Sequence, residues 1–232
     1  MSFFSLSPVE LEALNLSLKV AGMALVFSVV PGIVVAWVLS RTHFPGKHIV
    51  NGIIHLPLVL PPVVIGYLLL VTLGKKGVIG AMLFKYLGIT IAFTWKGAAV
   101  ASAVMAFPLF VRAVKLSLDS VDQGLEAAAL TLGAGPFRVF FTITLPLMIP
   151  GIITGMILAF ARSLGEFGAT ITFVSNIRGE TQTLPLALYT LMQVPHGDVY
   201  AMRLCVLSIV IAMVALIVSQ MLEKRFSDHV KG

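Results

Sequence analysis

Charge is scarce in this chain of 232 residues: Asp, Glu, Lys and Arg together make up 11%, against 58% hydrophobic residues and a mean hydropathy of +1.02. A chain this apolar cannot enclose its hydrophobic side chains in one water-soluble core, so the bilayer must be its solvent. Cysteine is all but missing. Cys205 stands alone in an apolar run, which excludes an intrachain disulfide, gives no basis for a metal site, and reads as packing. The five histidines have no metal-ligand spacing: His43 and His48 lie near a turn, His55 lies in an apolar run, and His196 and His229 are isolated. No metal and no cofactor is expected, and His55 is expected to hydrogen-bond a neighbouring helix. There is no G-x-x-x-x-G-K-[ST], G-x-S-x-G or H-E-x-x-H sequence, so neither ATP hydrolysis nor a hydrolase centre is expected in this chain. Residues 1–14 have no basic start, continuous apolar stretch or small-residue cleavage site, so no removable signal peptide is expected.

What is present is a series of apolar runs, each near the roughly 20 residues that cross a bilayer. The first covers residues 20–40, preceded by Ser7-Pro8-Val9-Glu10, the cap, proline and acid of a short interfacial helix start. A polar turn at 41–47 leads to a second run over 49–74, which carries no formal charge and is interrupted by Pro57, Pro61 and Pro62. Those prolines predict a kinked or locally unwound span. Residues 75–90, with Gly74, Gly77, Gly80 and Gly88 in or beside them, read as a loop. A third span follows over 91–111, with Lys96 able to snorkel and Pro108 marking a bend. Residues 112–144 are mixed and suit short helices outside the bilayer. The fourth span runs from Leu145 past Arg162 to about Phe173, and the fifth covers 204–222. Between them, 174–203 is polar, with a short re-entrant or surface helix at 184–194. No internal repeat is evident.

The sequence therefore predicts an all-α polytopic membrane protein with about five transmembrane helices and short helices outside the bilayer between the third and the fourth. The net charge of +6 comes from 16 Lys and Arg scattered through loops and helix ends. Without a basic stripe or interleaved aromatics they read as flanks of membrane helices, not as a nucleic-acid surface. With the C-terminus cytoplasmic, Arg41, Lys47, Arg112, Lys115, Arg138, Lys224, Arg225 and Lys231 lie inside. Lys75, Lys76, Lys85, Lys96, Arg178 and Arg203 then lie outside, a small excess in the expected sense.

The most informative segment is Glu126-Ala127-Ala128-Ala129-Leu130-Thr131-Leu132-Gly133, followed after nine residues by Ile143-Thr144-Leu145-Pro146. It resembles the EAA loop of the permease subunits of binding-protein-dependent ABC importers. The chain departs from that pattern at one point: Glu126 stands seven residues before Gly133 where the family has six, so Ala127 takes the usual Glu position. One residue on a helix turns the side chain by about 100°. An Ala-rich amphipathic helix with a glycine C-cap is the plainer description of the same residues. In the resemblance, the loop docks on a soluble ATPase. Glu126, Ala127, Ala128, Gly133, Phe137, Arg138, Phe140 and Pro146 are the coupling candidates, with Phe137 and Phe140 as apolar anchors and Arg138 able to pair with an acid.

Two further segments, 56–67 and 160–170, are similar to parts of the molybdate permeases, and the second is shared with the sulfate permeases. They hold the pathway or gating candidates Pro57, Pro61, Pro62, Arg162, Ser163, Gly165, Glu166, Gly168 and Thr170. Arg162 and Glu166 are four apart and can form an ion pair inside the bilayer. That pair reads as structural, as a gate or as a contact for the passing anion. The prolines suit either a cavity-lining break or a packing kink, and Ser163 and Thr170 either helix packing or a seam between subunits.

The resemblance implies one type I permease domain over 1–232, with its core at about 14–222 and a cytoplasmic coupling loop at 116–144. It implies a multi-pass inner-membrane protein with a periplasmic N-terminus and a cytoplasmic C-terminus. Its partners would be a second copy of itself, two ABC ATPase subunits, an extracytoplasmic oxyanion-binding protein and the lipid bilayer. Molybdate is the expected cargo, with sulfate, thiosulfate or tungstate as alternatives. A secondary transporter or an intramembrane enzyme fits less well, because the chain shows neither related halves nor a nucleophile with its base.

Overall fold

The computed structural model describes residues 7–195 and 197–231, with the backbone alone at 219, 220 and 222–231. Residues 1–6, His196 and the side chains of Lys224, Arg225, His229 and Lys231 lie outside the described set. Four helices there are long and apolar enough to cross a membrane, and a bent helix pair can make a fifth span.

Helix α1 runs unbroken over Pro8–Arg41. Its start is a capping box: the Ser7 N–H donates to Glu10 Oε2 at 2.6 Å and the Glu10 N–H to Ser7 Oγ at 3.4 Å, with Pro8 at the first helical position. The interfacial helix and the span expected from 20 to 40 are therefore one element. Nothing between Glu10 and Val20 breaks helix, and the cap satisfies the first turn. Seven of the ten buried residues of α1 are small, Ala13, Ser17, Ala21, Ala24, Ser28, Gly32 and Ala36, which lets neighbouring backbones come close.

Helix α1 packs on α5, Trp95–Asp119, and on α8, Leu145–Leu164. Gly32 and Gly155 both face the Phe110 ring, and a Cβ on Gly32 would enter it. Helix α5 is the enclosed centre of the bundle, with 61% of its most apolar window buried against 17–28% in the other three long spans. It extends past Val111, the expected end of the third span, because Val111, Val114 and Leu118 continue a fully buried stripe at helical spacing. Pro108 lies buried within this continuous helix.

The second span is broken as expected. Helix α2, Lys47–His55, passes into a 3₁₀ turn at Leu56–Leu58 and then into α3, Pro62–Leu73, at 109° to the first half. His55 bonds the Asn51 carbonyl of its own helix at 2.9 Å, not a neighbouring helix as expected, because its i−4 carbonyl is within reach. The expected loop at 75–90 contains α4, Val78–Leu87. Two of its glycines cap the helix, Gly77 at the N-cap and Gly88 at the left-handed C-cap with φ 66°, and Gly80 lies buried inside it.

The fourth span ends earlier than expected. From α7, Pro136–Val139, through a π-turn at Phe140–Thr144, the chain is helical to Leu164 and then stops at Gly165. Residues 168–174 form a separate helix, α9, Gly168–Val174. The cause is Glu166, whose Oε1 accepts the Ala169 N–H at 2.8 Å and so caps a new helix start. Helix α6, within the segment read as a coupling loop, occupies Gln123–Thr131, and α10, Leu184–Met192, fills the short helix expected near 184–194. The last helix, α11, runs over Asp198–Lys231, so it begins before the expected Leu204 and takes in Arg203, which was read as part of a polar connection.

Candidate functional site: a coupling helix and a proline–glycine seam

Helix α6 presents no buried residue at all. Asp122 caps its start, accepting the Gly124 N–H at 2.8 Å on Oδ1. Its end is a Schellman motif: the Ala134 N–H reaches the Ala129 carbonyl and the Gly133 N–H the Leu130 carbonyl, both at 3.0 Å. Gly133 holds φ 88°, the left-handed region that a side chain disfavours. Ala127 and Ala128 are exposed on α6, and Leu132 and Phe137 beyond it are 88% and 83% exposed. Arg138 is exposed and makes no salt bridge among the described residues, and Pro146 is exposed in the first turn of α8. Phe140 is half-buried. With Phe137, Phe141 and Trp37 it lines an apolar groove of about 320 Å³ between α7 and α1.

Glu126 points the other way, into the chain. Its Oε1 accepts from Arg41 Nη2 at 3.2 Å and from Thr144 Oγ1 at 2.6 Å. Neither partner was singled out from the sequence. Arg41 had been counted only as a topogenic charge, and Thr144 only as a pattern position. Next to Arg41, Ser40 donates to Asp119 Oδ1 at 2.5 Å, which ties the end of α1 to the end of α5.

The second group of candidates meets where α3 packs on α9. A Cβ on Gly168 would lie 2.8 Å from Pro62 Cβ, and one on Gly66 would lie 2.6 Å from the Ala169 carbonyl oxygen, so this seam is closed by missing side chains. Pro61 is the exposed N-cap of α3. Pro57 is elsewhere, beside Pro31, Phe27 and Phe107 on a pocket of about 370 Å³. Arg162 Nη1 meets Glu166 Oε2 at 2.7 Å, the side chains 28% and 1% exposed. With its other oxygen on the α9 N–H, the Glu166 carboxylate is engaged at both oxygens. Gly165 is exposed at the helix end, while Ser163 and Thr170 are buried.

Two features were not legible in the sequence. One is the buried ion pair of Glu10 with Arg203, which joins the first turn of α1 to α11. The other is the polar core at 175–183. There Gln182 Nε2 donates to Asn176 Oδ1 at 3.0 Å, Asn176 Nδ2 to Thr190 Oγ1 at 2.8 Å, and the Leu184 N–H to Ser17 Oγ at 2.7 Å. Ser175 holds φ 64° and ψ −162° there, a region otherwise left to glycine. Among the described residues, no group of three or more His, Cys, Asp or Glu is placed to hold a metal.

The model of the family described as "Binding-protein-dependent transport system inner membrane component" matches residues 28–228. The chain belongs to that family. Among curated members, it is 60% identical over 215 residues to the molybdenum transport system permease protein of Escherichia coli (strain K12), covering 93% of this chain and 94% of the relative. It is 56% identical over 216 residues to the protein of the same name in Haemophilus influenzae, with the same coverage. Among solved structures, the fold matches a bacterial ABC transporter involved in the import of the acidic polysaccharide alginate. The TM-score is 0.75 at 19% identity, over 95% of this chain and 80% of that one. As an inner-membrane component with four to five apolar spans, this family member is a multi-pass membrane protein.

Proposed function

We propose that the chain is the membrane-spanning subunit of an ATP-driven importer of molybdate, working as a pair of copies with two ABC ATPase subunits and an extracytoplasmic oxyanion-binding protein. The observation that carries this reading is the 60% identity to a molybdenum permease along 93% of the chain. The chain itself acts as a transport subunit and leaves hydrolysis to its partners. Its α6 end faces the cytoplasm, as does the C-terminus, and its N-terminus is periplasmic.

The coupling group, Glu126, Ala127, Ala128, Gly133, Phe137, Arg138, Phe140 and Pro146, lies on and beside a helix with no buried residue, whose Ala127–Ala128 face its own chain leaves exposed. That is what a docking element needs. Alanines keep the α6 surface flat and helical, the Gly133 turn ends it sharply, and Leu132 and Phe137 offer apolar area to a groove on the ATPase. Closure of the two ATPases brings the paired loops together and rocks the helices from inward-facing to outward-facing.

Pro62 and Gly168 serve the pathway through the seam they close, with Pro61, Arg162, Ser163, Gly165, Glu166 and Thr170 on the flanking segments and Pro57 apart from it, and none of them as a deep anion site. An Arg162 already neutralised by Glu166 is a weak ligand for a dianion, so selectivity resides in the binding protein. The test is uptake of labelled molybdate by proteoliposomes holding this chain, its ATPase and its binding protein, with excess sulfate as competitor. ATP-dependent uptake that resists sulfate is the expected result. Uptake abolished by sulfate moves the chain to the sulfate branch.

A further inference from the structure

We propose that Glu126 is a positioning residue: with Arg41 and Thr144 it forms a bracket that makes the coupling helix move as one body with α1 and α8. The inference rests on the importer reading above and concerns how force applied at α6 reaches the membrane spans.

Helix α6 has no buried side chain, so apolar packing does not hold it to the bundle. The links on either side of it, 120–122 and 132–135, are turns and short irregular backbone. What joins it to the spans is the Glu126 carboxylate, 3.2 Å from Arg41 Nη2 and 2.6 Å from Thr144 Oγ1. Arg41 Nη2 also reaches the Val121 carbonyl at 3.5 Å, so one guanidinium holds both the entry to α6 and its first turns. The group is largely enclosed: the Arg41 and Glu126 side chains are 11% and 18% exposed and Thr144 is buried. Enclosure strengthens charge-assisted hydrogen bonds relative to a surface pair.

The two anchors stand at mechanically chosen points. Arg41 is the last residue of α1. Thr144 closes the π-turn at Phe140–Thr144 that opens directly into α8, and such turns recur at functional positions in helices. Directly behind them α1, α5 and α8 share one buried cluster that includes Ala36, Leu39, Val114, Leu118 and Met148. A push on α6 therefore reaches two spans through two short bonds, without first taking up slack in the links.

The same geometry explains the one-residue offset from the family pattern. A carboxylate at Ala127 would be turned by about 100° towards the exposed face, beyond the reach of Arg41 and Thr144. At position 126 it serves the chain's own helices instead of the partner.

The experiment compares ATP hydrolysed with labelled molybdate, and separately labelled sulfate, taken up by the reconstituted complex. For Glu126→Ala and Arg41→Ala the ATP consumed per anion is expected to rise about fivefold. Thr144→Val is expected to shift it less in the same direction, and the charge reversal Arg41→Glu with Glu126→Arg to bring it back towards the wild-type value. An unchanged ratio in Glu126→Ala overturns the proposal. So does an equal fall in uptake and hydrolysis, which marks Glu126 as a docking contact. Wild-type complex that carries sulfate and not molybdate defeats only the cargo reading. A double-mutant cycle on the melting temperature of the purified chain tests the bracket without cargo: Arg41→Ala and Glu126→Ala are expected to be non-additive, and additivity overturns it.

Discussion

The two ends of the molecule each carry an Arg–Glu pair that joins α1 to another helix, and the pairs differ in what surrounds them. At the N-terminal end of α1, Glu10 and Arg203 are 3% and 8% exposed. They sit beside an apolar cluster of Ala13, Leu184, Ala187 and Leu204. At the other end, Glu126 and Arg41 are 18% and 11% exposed and hold a helix that has no buried residue. The first pair lies in an end that apolar packing already assembles. The second is the attachment itself. If the proposed bracket holds, similar chemistry serves stability at one end and transmission at the other, and the two roles are expected to separate under mutation.

The sharpest break in the comparison comes from removing one member of the enclosed pair. In Arg203→Ala the Glu10 carboxylate keeps only the Ser7 N–H at 2.6 Å and remains buried. Stranding a buried charge costs about 3–5 kcal/mol. The thermal midpoint of the detergent-purified chain is expected to fall steeply. The double variant Glu10→Ala, Arg203→Ala should lose less than the sum of the two singles, because neither charge is then left alone. A midpoint unchanged in Arg203→Ala would mean that the pair contributes nothing to joining α1 and α11.

The contrast between the ends also shows what a sequence can and cannot reveal. Hydropathy marks the spans because the bilayer demands length and apolarity together. Helix ends follow other rules. Helix α5 outruns its expected end at Val111 because Lys115 sits on the exposed side of a stripe buried at Val114 and Leu118. The fourth span stops at Leu164 because Glu166 spends one oxygen on capping α9. The glycine-bearing stretch at 75–90 was read as a loop, whereas two of its glycines cap the ends of α4. The short helix ending at Gly133 was legible from local spacing, and so was the Arg162–Glu166 pair at four residues. The partners of Glu126 were not, since Arg41 is 85 residues away in the chain and Glu10 is 193 from Arg203. Pairing over such separations leaves no periodic trace.

A second break acts on the uncovered end through backbone conformation alone. Nothing lies within 4 Å of where a Cβ on Gly133 would sit, so the β-carbon of Gly133→Val meets open space. Its cost comes from φ 88°, and holding a side chain in the left-handed region costs about 1–2 kcal/mol, more for a β-branched residue. That is too little to unfold the bundle and enough to open the turn that ends α6. We expect normal membrane insertion with loss of uptake in the reconstituted complex. Normal uptake by Gly133→Val would remove the 120s–130s segment from the coupling role.

The smallest effect is expected from the ion pair that resembles Glu126–Arg41 in place but not in surroundings. Lys115 Nζ meets Asp119 Oδ2 at 2.5 Å, four residues apart on α5, with side chains 32% and 40% exposed. Water screens such a pair and both side chains lose freedom to form it, so it contributes about 0.5 kcal/mol or less. Asp119 also keeps the Ser40 hydroxyl at 2.5 Å when Lys115 is removed, so no acceptor is stranded. Lys115→Ala is therefore expected to leave both the thermal midpoint and the ATP consumed per anion at wild-type values. A Lys115→Ala variant that wastes ATP as Glu126→Ala does would show that any charge near the end of α5 tunes coupling. The effect would then be one of local field, not of the bond that Glu126 makes to Arg41 and Thr144.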